Sequence, residues 1–154
     1  MSKQASWKTK LSKVESKLID AEKRMAGWED NLEINNKNLE LACVEHASWL
    51  AYYEEIAIEL KYVLEFVEMI EKEVRGIQFK FCKDSFQKEY TDSSILKVID
   101  ANADYLEVHE MYLIVQEIYD KARVIVKGFE QRSYSLNNIV KIREKELEHV
   151  VIRT

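Results

Sequence analysis

Proline is absent from the chain, and glycine occurs only at positions 27, 76 and 128. These two residues are the strongest helix breakers, so their scarcity disfavours β-rich and α/β architectures and points to an all-α protein. Cysteine is nearly absent too. Cys43 and Cys82 form no framework spacing, which excludes a disulfide scaffold and fits a reducing compartment. No apolar run long enough to span a membrane is present and no signal peptide is evident, so a soluble, cytoplasmic protein with no membrane partner is expected. The glycines lie too far apart to form a phosphate-binding loop, and no nucleophile elbow occurs.

Catalytic chemistry is also poorly supplied. Cys43 and His46 lie one helical turn apart and offer two metal ligands, but a third and fourth are missing; a polar layer in a helical seam is the favoured reading. Glu146 and His149 have the Glu-x-x-His spacing of half a di-iron site without its other half, and His109 between Glu107 and Glu110 reads as a helix-surface histidine. The expectation is a protein that is not an enzyme and needs no cofactor or metal.

What the chain does have is a seam. One heptad frame fits residues 7–81 without insertion, with Leu11, Leu18, Met25, Leu32, Leu39, His46, Tyr53, Leu60, Val67, Val74 and Phe81 at a. Trp7, Val14, Ala21, Trp28, Asn35, Ala42, Trp49, Ile56, Val63, Ile70 and Ile77 stand at d. A 3-4 spacing held this long predicts one long coiled-coil helix. Lys10 with Glu15, Lys17 with Glu22 and Arg24 with Glu29 have the g-to-e pattern of parallel, in-register chains, so self-association is expected. Asn35 is a candidate for fixing register.

Past residue 42 the e and g positions turn apolar at Leu50, Tyr52, Ala57, Leu64 and Phe66, the pattern of a helix packed on more than one side. The predicted organisation is therefore an N-terminal coiled-coil extension over 1–42 and a helical bundle over 43–154, which carries oligomerisation and binding. Residues 82–94 predict a polar loop ending in N-cap residue types. A second, largely buried helix is predicted from about Ile95 to Gly128, and Gly128 with Ser133 to Ser135 predicts a kink or break before a third helical segment. The fold class is all-α: a long N-terminal coiled-coil helix leading into an antiparallel helical hairpin or bundle, oligomeric.

The net charge of -5 hides a partition along the chain. Residues 45–71 hold seven glutamates against Lys61, and residues 121–143 hold six basic residues against Glu130. Single-stranded nucleic acid needs cations for phosphates and rings for unstacked bases. Two places combine them: Lys72, Arg75, Lys80, Lys83 and Lys88 among Phe79, Phe81, Phe86 and Tyr90, and Lys121, Arg123, Lys127, Arg132, Lys141 and Arg143 with Phe129 and Tyr134. Core packing and solvated charge are the plainer explanation of both. Phe86 and Tyr90, in the predicted loop, are the better stacking candidates.

Residues 132–143, Arg-Ser-Tyr-Ser-Leu-Asn-Asn-Ile-Val-Lys-Ile-Arg, resemble the C-terminal Arg-x-aromatic-x-aliphatic stretch, with a second Arg eleven residues on, of phage recombination mediators of the UvsY type. The order of parts is similar over about residues 46–144: Trp49-Leu50, then Glu73-Val74-Arg75 followed by Phe79, a polar loop, a long apolar helix and the C-terminal motif. Three features depart from the family: Glu73 where it has a lysine, beside Lys72; a longer N-terminal helical region; and an acidic total charge. The resemblance implies a non-catalytic homo-oligomer, ring-like in the family and housed in the bacterial host cytoplasm. Such a protein binds single-stranded DNA and helps a recombinase displace single-strand-binding protein in DNA recombination and repair. It implies phosphate contacts at Arg75, Lys80, Arg132, Lys141 and Arg143, with Lys72 as a weaker candidate. The competing reading is a coiled-coil scaffold or adaptor, or an inhibitor using the acidic 45–71 face, without nucleic acid.

Overall fold

The computed structural model describes residues 3–34, 39–85 and 91–151. They are all-α: helices α1 (Lys3–Met25), α2 (Trp28–Leu32), α3 (Leu39–Ser85), α4 (Asp92–Asp100) and α5 (Ala103–Val151), with no strand among the described residues. The heptad frame predicts burial well, with Trp7, Leu11, Val14, Leu18, Ala21, Leu60, Val63, Val67, Ile70 and Val74 all buried. It does not predict continuity. The single helix expected over 7–81 is broken, because Gly27 takes a left-handed backbone (φ 75°) that ends α1 and Glu33 is extended after α2. Asn35 lies outside the described residues.

The frame also slips at its far end. Phe81, an expected seam residue, is 64% exposed, while Cys82 is 5% exposed. A straight helix turns 3.6 residues per turn, so a 3.5-residue seam drifts around it unless the helix supercoils.

Helix starts follow local chemistry. The Thr91 side chain accepts from the Ser94 backbone N–H and caps α4, as the N-cap cluster predicts. Asn102 then accepts from the backbone N–H groups of Asp104 (2.9 Å) and Tyr105 (3.3 Å), which starts α5. The helix expected from Ile95 to Gly128 is thus divided at Ala101 and Asn102. Beyond it, no break occurs at Gly128 to Ser135, since α5 is one continuous helix to Val151. Leu106, Leu113 and Ile114, expected inside, are exposed.

The chain forms two compact units, Met1–Arg24 with Ile58–Asp120, and Met25–Ala57 with Lys121–Thr154. In the first, α1 packs within its own chain: Lys10 pairs with Glu73, Arg24 with Glu59 (2.6 Å) and Lys8 with Glu107 (3.6 Å). Lys10 and Arg24, expected to pair with Glu15 and Glu29 of a second copy, therefore have partners inside the chain. Gln78 donates to Asp104 (3.1 Å) and accepts from Asn102 (3.3 Å), fastening α3 to the α4–α5 turn beside a small core of Cys82, Ile95 and Ile99. His109 meets Glu71 at 2.9 Å.

In the second unit, Tyr53 stacks on Phe129 with centroids 4.9 Å apart and accepts from Asn31 at 3.0 Å. Leu39, Ala42 and Leu136 form an adjoining cluster. α3 and the partner stretch of α5 run antiparallel here, since His46 meets Arg132 and the earlier Ala42 packs with the later Leu136.

Candidate nucleic-acid interface

The inward face of α5 in the second unit carries Ala122, Ile125, Phe129, Arg132 and Leu136, all buried. At about 100° per residue, the opposite face carries Arg123, Lys127, Tyr134, Lys141 and Lys145, at steps of four, seven, seven and four residues. All five are exposed, Tyr134 at 72%. The stripe is about 33 Å long at 1.5 Å per residue. Four cations with a ring at their centre can neutralise phosphates and offer one base a stacking surface. Glu130 borders the row and is exposed.

The expected site residues divide between this unit and the other. Lys141 lies in the stripe. Arg143 is exposed but points along the same side as Arg132, because eleven residues are three turns of a continuous helix. At Arg132 that side is packed, but residues 140–146 are all exposed, so Arg143 faces solvent. Arg132 is only 6% exposed, donating to the backbone carbonyls of Leu32 (3.1 Å) and Ala42 (3.3 Å) and to His46 Nδ1 (3.2 Å). Its expected phosphate contact is therefore corrected: the guanidinium is a buried crosslink. Burial pulls its pKa down, opposed by Cys43 and Glu45, yet an arginine stays charged.

His46 belongs to the same polar layer. Burial and then the Arg132 cation hold its pKa below 6.5, so it is the neutral acceptor for Arg132. Cys43 is exposed, and no three His, Cys, Asp or Glu side chains come together for a metal among the described residues.

In the first unit Lys72 and Lys80 are exposed on α3. Arg75 is engaged by Asp100 at 3.3 Å and lies over the Tyr105 ring. Lys83 pairs with Asp92 and lies over Phe79. Lys72 and Lys83, eleven residues apart on α3, lie on one side of the helix, with Arg75 and Lys80 flanking that side. Phe86 and Tyr90, the expected stacking residues, lie outside the described residues.

Sequence reasoning named Arg123, Lys127 and Tyr134 only as part of a basic stretch and omitted Lys145. Their 4-7-7-4 spacing, set against the apolar row Ala122, Ile125, Phe129 and Leu136, is the signal that separates them from Arg132. No described helix is long and apolar enough to cross a membrane. No protein-family model, curated protein or solved structure matches the chain.

Proposed function

We propose that the chain is a non-catalytic, homo-oligomeric protein that binds single-stranded DNA, with the outer face of α5 as the strand contact. What supports this is the row Arg123, Lys127, Tyr134, Lys141 and Lys145, exposed along one helical face, its cations without an ion pair among the described residues. Its chemistry suits an extended strand, whose phosphates repeat along one line and whose bases are free to stack. The further role, loading a recombinase onto DNA covered by single-strand-binding protein, rests on the resemblance of residues 132–143 to the UvsY-type mediators.

A salt titration of fluorescence anisotropy tests the strand contact. Wild type should prefer single strands over duplex and lose affinity steeply with salt. Replacing Arg123 and Lys141 together with alanine should lower the salt slope by about 1.4, at about 0.7 per phosphate contact on single strands, with helicity unchanged. A folded double variant that binds like wild type at every salt concentration removes this face from the site. No binding even at low salt would favour the scaffold reading.

A further inference from the structure

The outer face of α3 in the first unit repeats the logic of its buried seam. Ile58, Tyr62 and Met69 are 56%, 67% and 60% exposed, and Glu65, Lys72 and Gly76 are exposed with them. Positions 58, 62, 65, 69, 72 and 76 alternate steps of four and three, which keeps all six on one side of the helix, away from Leu60, Val63, Val67, Ile70 and Val74. Three large apolar side chains facing water at 3-4 spacing, with Glu65, Lys72 and Gly76 completing the row, form one side of a helix pair.

We infer that this row joins two copies of the chain, antiparallel, about a two-fold axis beside Met69. Charge chooses the partner and its direction. The row is interrupted by one anion, Glu65, and one cation, Lys72. In a parallel, in-register pair Glu65 would face Glu65 and Lys72 would face Lys72. Turned antiparallel about the midpoint between them, each Glu65 faces Lys72 of the second copy, twice over. Shape agrees with this choice. Tyr62, one turn before Glu65, then meets Gly76 of the second copy, one turn beyond Lys72. A Cβ built on Gly76 would meet nothing within 4 Å, and the helix there borders an open groove of about 450 Å³ that includes Lys80 and Phe81. The largest side chain of the row thus falls on its smallest residue, and Met69 lies next to its own copy at the axis. This is an isologous contact that closes on itself. It concerns the assembly in the strand-binding reading, but its test needs no DNA.

Sedimentation equilibrium without nucleic acid reads the outcome. Wild type should be at least dimeric at micromolar concentration. Glu65→Lys and Lys72→Glu, each leaving helicity intact, should weaken the dimer about tenfold, and the two together should restore it, because the reversed pair meets in the same antiparallel geometry. With Cys43 replaced by serine, Met69→Cys should oxidise to a disulfide-linked dimer of native helicity. A monomeric wild type, single variants that assemble like wild type, or a double variant no better than the singles would each overturn the inference. A dimer whose Met69→Cys form does not crosslink would overturn the axis, and with it the antiparallel register.

Discussion

An arginine at 6% exposure must find acceptors for its fork of N–H groups, because each buried donor left unpaired costs about 1–3 kcal/mol. Arg132 finds three: the carbonyls of Leu32 and Ala42 and the ring of His46. Its removal should therefore be read in stability before it is read in binding. Arg132→Ala should lower unfolding free energy by about 2 kcal/mol or more, while the DNA-binding salt slope of the folded protein stays unchanged. Urea melts and anisotropy titrations on the same sample separate the two, and an undiminished melt with a reduced slope would return Arg132 to the strand.

The same layer makes stability depend on pH. His46 is held below 6.5 by burial first and by Arg132 second. With the folded-state pKa the lower one, the unfolded chain takes up the proton first, so the His46 contribution is complete above about pH 6.5 and is lost as pH falls through the folded-state pKa. The urea midpoint of wild type should fall between about pH 7 and pH 5, and His46→Gln, which keeps an acceptor but does not titrate, should flatten that fall. Equal falls in both proteins would place the proton elsewhere.

Among the elements, three glycines of identical composition have different fates. Gly76 and Gly128 sit inside α3 and α5, while Gly27 adopts φ 75° and ends α1. Gly128→Ala should stabilise the protein by about 0.5–1 kcal/mol, since alanine is the better helix former, and its added Cβ would lie 3.5 Å from Leu32 Cδ2, an ordinary contact. Gly27→Ala should destabilise it by about 1–2 kcal/mol, because a Cβ is strained in the left-handed region. Thermal melts of the pair should move in opposite directions; movement in the same direction would deny the break at Gly27. This contrast also shows what was legible in the sequence. Side-chain periodicity fixes which face is buried, so Trp7, Leu11, Val14, Leu18, Ala21, Leu60, Val63, Val67, Ile70 and Val74 were placed correctly inside, while Trp28, Leu32, His46 and Trp49 are only half-buried. Helix ends depend on backbone choices that composition does not reveal, so the breaks at Gly27 and Asn102 and the unbroken passage through Gly128 were not. For the candidate site, the count of cations in 121–143 was plain, but the inward turn of Arg132 became visible only once the row Ala122, Ile125, Phe129 and Leu136 was known to be the packed one.

At the scale of the whole molecule, the N-terminal helix either projects to pair between copies or packs within its own unit. A coil that projects and pairs between copies can be removed at the expense of subunit number alone. The packing of α1 predicts something else. Trp7, Leu11, Val14, Leu18 and Ala21 are all at or below 5% exposure, and Lys10 and Arg24 reach Glu73 and Glu59 of α3 in the same unit. The ion pairs themselves, half open to water, contribute little. The apolar face contributes far more, at about 1.5–3 kcal/mol for each large side chain fully buried, against a whole-domain stability of about 5–15 kcal/mol. Deleting residues 1–24 should therefore remove a large part of the stability of the first unit and uncover apolar surface on it. The expected result is a truncated chain with a broadened or lost thermal transition by circular dichroism and aggregation by light scattering. A truncated chain that melts like wild type, differing only in mass, would show that α1 acts between copies after all. The two outcomes also bear differently on the proposed self-association, because the inferred contact at Met69 and its neighbours on α3 is independent of Lys10, Lys17 and Arg24. Charge reversal at Glu15, Glu22 and Glu29 should then leave the subunit number of the full chain unchanged, whereas reversal at Glu65 should lower it.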